Sequence, residues 1–179
     1  MKRKILPTRN EVRLADDEFI VSKTDPKGRI TYANRTFMRI SGFPEAELLG
    51  VQHNVVRHPD MPRGVFKLLW DTLERGDEFF GYVKNLCRDG SYYWVLANIT
   101  PDHDVQGKLR GYYSVRRKPR AEAVAQAQAL YAQMLEIEHA SAPQDAVARS
   151  LAYLQQQLQA ASTDYLGFVL DSLRQSVQP

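Results

Sequence analysis

Two turn sequences divide the first 120 residues and restrict what this chain can fold into. Asp25-Pro26-Lys27-Gly28 separates the β-prone runs at residues 19–24 and 29–33. Arg88-Asp89-Gly90-Ser91 separates runs at residues 79–87 and 92–100. Pro and Gly at turn positions, and an Asp-Gly pair between β-prone stretches, favour tight reversals, so each pair predicts an antiparallel hairpin. A fifth β-prone run, residues 109–116, follows a polar loop predicted at residues 101–108.

Helical signals fill the gap between the hairpins. Asn34 precedes Arg35-Thr-Phe-Met-Arg-Ile40, where its side chain can cap a short helix that Gly42 ends. Pro44-Glu-Ala-Glu-Leu-Leu49 predicts one more helical turn, stopped by Gly50. Val65, Leu68, Leu69 and Leu73 recur at helical spacing before Gly76. Two strands, several short helices and three strands predict an α+β fold: a five-stranded antiparallel sheet with helices over one face and a pocket between.

Composition changes near Arg120, from glycines and aromatics to Ala, Gln and Leu. Val124, Ala127, Tyr131, Met134 and Glu138 follow steps of three and four, with Glu138 the polar exception. After Ser141-Ala-Pro143, residues Val147, Leu151, Leu154, Leu158 and Ala161 repeat that rhythm. Ser162-Thr163-Asp164 starts a third stripe of Leu166, Val169, Leu170, Leu173 and Val177. One narrow stripe per helix cannot bury itself, so three helices must pack together, onto the sheet, or against a second subunit. The expected divisions are an N-terminal cap segment at 1–18, a sensor domain at 19–119 and a C-terminal helical region at 120–179.

Bulk properties remove several function classes. A 44% hydrophobic chain can build a core. Its single cysteine, Cys87, excludes an internal disulfide and a CxxC metal site, which fits a reducing compartment. No eighteen-residue apolar run exists, and Met1-Lys-Arg-Lys4 precedes no apolar signal region, so the expected location is cytoplasmic. Residues 1–120 hold 22 basic against 15 acidic side chains, and the remainder 2 against 6. The basic residues are scattered except at Lys2–Lys4 and 116–120, without a nucleic-acid motif.

The densest chemistry is His53-Asn54-Val55-Val56-Arg57-His58-Pro59-Asp60-Met61-Pro62. It combines two imidazoles, a guanidinium and a carboxylate with a proline-stiffened exit. Arg and His suit phosphate and carboxylate oxygens, so an anionic cofactor is the first candidate; mutual pairing of the charges is the alternative. A spacing of five between His53 and His58 suits neither a helical metal pair nor a finger, so no metal is expected.

Asp25-Pro-Lys-Gly-Arg-Ile-Thr-Tyr-Ala-Asn34, Ser41-Gly-Phe43, Glu47-Leu-Leu-Gly50 and Arg88-Asp-Gly-Ser-Tyr-Tyr-Trp94 together resemble PAS sensory domains. His53-Asn54, Arg57-His-Pro-Asp-Met-Pro62, Trp70, Val83-Lys-Asn85 and Tyr93-Trp94 resemble more closely the flavin-binding PAS domain of bacterial aerotaxis receptors, over about residues 10–118. That resemblance implies non-covalent FAD, whose redox state reports oxygen or respiratory status. It also implies cofactor contacts by Arg57, His58 and Asp60, and pocket positions at Asn34, His53, Phe66, Trp70, Asn85 and Trp94. Physically, Arg57 and His58 can donate to pyrophosphate or ribose, and Asp60 can orient them. The amides of Asn34 and Asn85 can complement a pyrimidine edge. Phe66 and Trp70, four apart on one helix, can present an aromatic surface.

Unlike those receptors, the chain has no membrane-spanning or methyl-accepting segment, so a signal is expected to leave through the helical tail, to a partner protein or by homodimerisation. Cys87 lies on a predicted strand outside an Asn-Cys-Arg context, so no photochemical adduct is expected. The rival expectation is a PAS interaction module holding haem or no cofactor, although no histidine occupies residues 63–76 as an axial ligand. An enzyme is not expected: no nucleophile elbow, P-loop or GxGxxG accompanies His53, His58 and Asp60.

Overall fold

The computed structural model describes residues 5–174, with side chains through Asp171. Lys2–Lys4 and Val177 lie outside the described residues, as does the side chain of Leu173. The first hairpin joins β1 (Phe19–Thr24) to β2 (Ile30–Ala33). Asp25 organises its turn: Oδ1 accepts from the N–H groups of Lys27 and Arg29. Three short elements follow, α1 (Arg35–Ser41), α2 (Glu45–Leu48) and a 3-10 turn (His53–Val56). Then come α3 (Arg63–Glu74), β3 (Phe79–Leu86), β4 (Tyr92–His103) and β5 (Leu109–Arg117). The five strands form one antiparallel sheet in the order β2-β1-β5-β4-β3.

The loop expected at residues 101–108 is shorter than the sequence suggested, because β4 continues through Pro101 to His103. Pairing of β4 with β3 ends at Phe79↔Ile99, while pairing with β5 continues through Pro101↔Tyr112. Pro101 therefore meets the rule against proline in a sheet where one side of the strand has no ladder to complete. A register shift between Asp102 and His103 then ends the strand opposite Gly111.

The tail forms the three expected helices, α4 (Ala121–Ala140), α5 (Ala146–Ala160) and α6 (Tyr165–Arg174). Much of their described apolar stripes is covered within this chain, although Ala161 and Leu166 are exposed. Ala123, Ala127, Tyr131 and Met134 of α4, and Leu154 and Leu158 of α5, are buried. Tyr131 stacks on Trp94 at 6.3 Å, donates to the Tyr82 carbonyl at 2.9 Å and accepts from the Tyr165 hydroxyl at 2.7 Å. Because α6 packs on β3 and α5 on α3, the helices wrap the β3 edge and protect it from foreign pairing. Short helices cover one sheet face and the tail covers the other, so residues 93–97 of β4 are buried on both sides.

Glu138 explains its place in an apolar stripe. Pro62 gives α3 no side-chain cap, and the Glu138 carboxylate instead accepts from the N–H groups of Arg63 (3.0 Å) and Gly64 (2.9 Å). Ser150 of α5 donates to the same carboxylate at 2.7 Å. A Cβ on Gly64 would lie 2.4 Å from Ser150 Oγ, so glycine permits this close crossing. A tail glutamate thus caps, from α4, the helix that carries Phe66 and Trp70.

Candidate functional site

A cavity of about 260 Å³ lies between the inner sheet face, α3 and the 3-10 turn. Strand alternation supplies its floor: Ala97 and Ile99 from β4, and Tyr112, Ser114 and Arg116 from β5. Phe66, Leu69, Trp70 and Leu73 of α3 form an apolar wall. Trp70 is 38% exposed and meets Tyr112 edge-on at 5.4 Å, which places it at the mouth near Gly28 and Gln52.

Five of the nine expected residues line this cavity: His53, Arg57, Phe66, Trp70 and Asn85. His53 is placed by the 3-10 turn, whose first N–H donates to the Gly28 carbonyl at 2.9 Å. Its ring stacks on Phe37 at 5.8 Å, and Nε2 lies 3.3 Å from Ser22 Oγ. The Arg57 guanidinium sits 4.3 Å from the Phe66 ring centroid and donates to the Met61 carbonyl at 3.0 Å. Burial lowers its pKa, partly offset by Glu138. Asn85 pairs with Arg57 in an isolated antiparallel bridge, and its side chain is buried against the cavity.

The other four lie elsewhere. Asn34 uses both ends of its amide on the fold: Oδ1 accepts from Val21 and Phe37 N–H, and Nδ2 donates to the Phe19 carbonyl. His58 is buried outside the cavity lining, with Nδ1 accepting from the Asp60 N–H at 3.0 Å. Asp60 is exposed and pairs with Lys84 of β3 at 2.7 Å. Trp94 faces the tail through Tyr131. His58 and Asp60 therefore fasten the loop that presents Arg57 rather than entering the cavity themselves.

Sequence reasoning missed Arg116, Thr24, Tyr112 and Ser114 as lining residues. Arg116 is only 2% exposed; it donates through Nη2 to Ser22 and lies 4.7 Å from the Phe37 ring, while Nε and Nη1 have no partner. Cys87 is buried and donates to the Ile40 carbonyl at 3.3 Å, with its thiol pushed up to about 12 by burial. It does not line the cavity.

Burial, then the Arg116 charge, drives His53 down to about 3 from 6.5. His53 borders the cavity, where apolar neighbours withhold the water that would solvate its charged form. Burial and Lys84 take His58 down to about 4. Below pH 6.5 the unfolded chain takes up protons that folded His53 refuses, so stability falls as pH drops from about 6.5 towards 3. The expected slope from His53 is on the order of 1 kcal/mol per pH unit. Urea midpoints at pH 7 and pH 5 test it: His53→Gln should lessen the fall, and an unchanged fall assigns acid sensitivity to other groups.

The family description "PAS fold" matches residues 30–116. The chain carries a PAS domain. This PAS domain is similar to the aerotaxis receptor of Escherichia coli (strain K12): 44% identical over 124 residues, covering 69% of this chain and 24% of that protein. A nitrogen fixation regulatory protein of Klebsiella pneumoniae is 35% identical over 97 residues, covering 54% and 20%. The chain spans about a quarter or less of the length of these relatives. The light-state structure of the blue-light photoreceptor Aureochrome1 LOV shares the fold, with a TM-score of 0.55 at 20% identity over 63% of this chain and 89% of that one. Among the described residues of the PAS domain and its tail, no helix is long and apolar enough to cross a membrane, and no three His, Cys, Asp or Glu side chains form a metal-binding group.

Proposed function

We propose that this chain is a cytoplasmic FAD-binding redox or oxygen sensor, not an enzyme, of the aerotaxis or energy-taxis type. The observation that carries this reading is the cavity's combination of an aromatic wall with unengaged buried polar groups at Thr24 and Arg116. A volume of about 260 Å³ is near the lower limit of roughly 300 Å³ for small-molecule pockets. It fits a fused-ring head group inside, with the remainder of a dinucleotide leaving past Trp70. FAD supplies reversible electron gain and loss. Phe66 and Trp70 would hold the ring, Asn85 its pyrimidine edge, and Arg57 the anionic bridge through donors not committed to Met61. His53, kept neutral at physiological pH, can donate or accept a single hydrogen bond without adding charge.

Signal transfer would use α3 and the sheet. A change in the polar groups beside Asn85 shifts β3, whose other side meets α6, while α3 transmits the same change through the Glu138 cap. The tail then presents a changed surface to a signalling partner or a second copy of the chain.

The test is purification of the whole chain. It should be yellow, with a flavin spectrum bleached by dithionite, and Arg57→Ala should weaken FAD binding at least tenfold, about 1.4 kcal/mol. A colourless protein that refuses added FAD sinks the reading. Haem is the second reading, motivated by the neutral His53 that lines the cavity. A Soret band on the purified protein, lost in His53→Gln, would favour it.

A further inference from the structure

Arg116 is a buried cation with no carboxylate partner among the described residues. Ser22 accepts from one of its nitrogens and Phe37 offers a ring face, but Nε and Nη1 bond to nothing. The neighbouring residues add no negative charge: His53 is held neutral, and Tyr93 is a buried phenol pushed up by desolvation, with its own hydroxyl unpaired. Burying an unpaired cation is strongly unfavourable, and an apolar side chain of similar length serves a fold better. The arrangement is intelligible if the cation is completed by something that enters the cavity it lines.

We propose that Arg116 is a cofactor-recognition residue whose unengaged N–H groups hold an acceptor-bearing edge of the bound ring system. This rests on the FAD reading, in which the carbonyl oxygens of the flavin's pyrimidine edge are the acceptors. Arg116 and Asn85 stand on β5 and β3, on opposite sides of β4, so the two residues would orient the ring by its polar edge and turn its methyl-bearing edge towards the apolar wall. Desolvation lowers the guanidinium only to about 10, leaving it charged at neutral pH. Such a residue opposes stability of the empty protein and favours that of the loaded one.

Opposite signs in two measurements test the proposal on the whole chain. Arg116→Met should raise the Tm of the cofactor-free protein and weaken FAD binding at least tenfold, with a shift of the bound flavin's visible band. A lower cofactor-free Tm, as expected if the residue only braces Ser22 and Phe37, overturns it. So does FAD affinity within about twofold of the unsubstituted chain. If Arg116→Met does not fold, Arg116→Gln, which keeps an N–H donor for Ser22, decides: tenfold weaker binding supports the role and unchanged binding removes it. Failure of the unsubstituted chain to take up FAD defeats the sensor reading and this inference together; normal uptake by both variants defeats this inference alone.

Discussion

Gly111→Ala should be strongly destabilising at 25 °C. Gly111 has φ +154, and a Cβ there would stand 1.8 Å from the Thr24 carbonyl oxygen and 2.8 Å from its carbon. Both obstacles are backbone atoms at the end of β1, held in register by Thr24↔Tyr112, so relief requires separating β1 from β5. Strain and lost pairing together should cost at least about 3 kcal/mol, a large fraction of the roughly 5–15 kcal/mol that stabilises a domain. Gly107→Ala is the control: its φ is +79, but nothing lies within 4 Å, so only local backbone strain of about 1 kcal/mol is expected. Denaturant melts of the two variants compare them, and equal midpoints would refute the steric argument. Since Thr24 and Tyr112 both line the cavity, any folded Gly111→Ala protein should, on the FAD proposal, also hold flavin less well.

Glu138→Ala should loosen the tail from the sensor domain. It removes the acceptor for Arg63 and Gly64 N–H and for the Ser150 hydroxyl at once. Loss of a helix cap costs about 1 kcal/mol, and stranding further donors raises the total to about 2–3 kcal/mol; Ser150 retains a weaker bond to Val147. Glu138→Gln keeps an acceptor and should fall between. Amide hydrogen exchange should quicken in the first turn of α3 and along α5, while the β4–β5 ladder changes little. If the cavity and tail are coupled, Glu138→Ala weakens FAD binding by the same factor by which FAD strengthens tail protection. Altered tail exchange with unaltered FAD affinity would show that the cap is structural only.

Much of the frame was legible because turn chemistry is local. Asp25 and Gly28 organise the first hairpin, Asn34 caps α1 and Gly42 ends it with φ +71, all through neighbours in sequence. What stayed hidden depended on which side of a strand faced what. Trp94 belongs to a strand covered on both faces, so its hydrophobicity carries no inward sign, and it was assigned to the cavity although it meets Tyr131. Arg116 belongs in sequence to the basic cluster at residues 116–120, which by itself signals only charge. Strand alternation through Tyr112, Ser114 and Arg116 was the available signal, since the three line one cavity while Arg117 is exposed. The Arg-His-Pro-Asp motif stands out in the sequence, but its carboxylate pairs with Lys84 and its imidazole accepts from the Asp60 N–H within the loop. That division of labour depends on β3, which lies distant in sequence.

Burial of β4 from both directions makes it a shared partition. Ala97 borders the cavity, and Trp94, three residues away, leans on Tyr131 of α4. No lever or hinge need intervene between them: a displacement of the partition by a fraction of an ångström on one side is already a displacement on the other. Enlarging Ala97 would therefore press on both compartments, so a substitution chosen to reshape the cavity would also displace the tail.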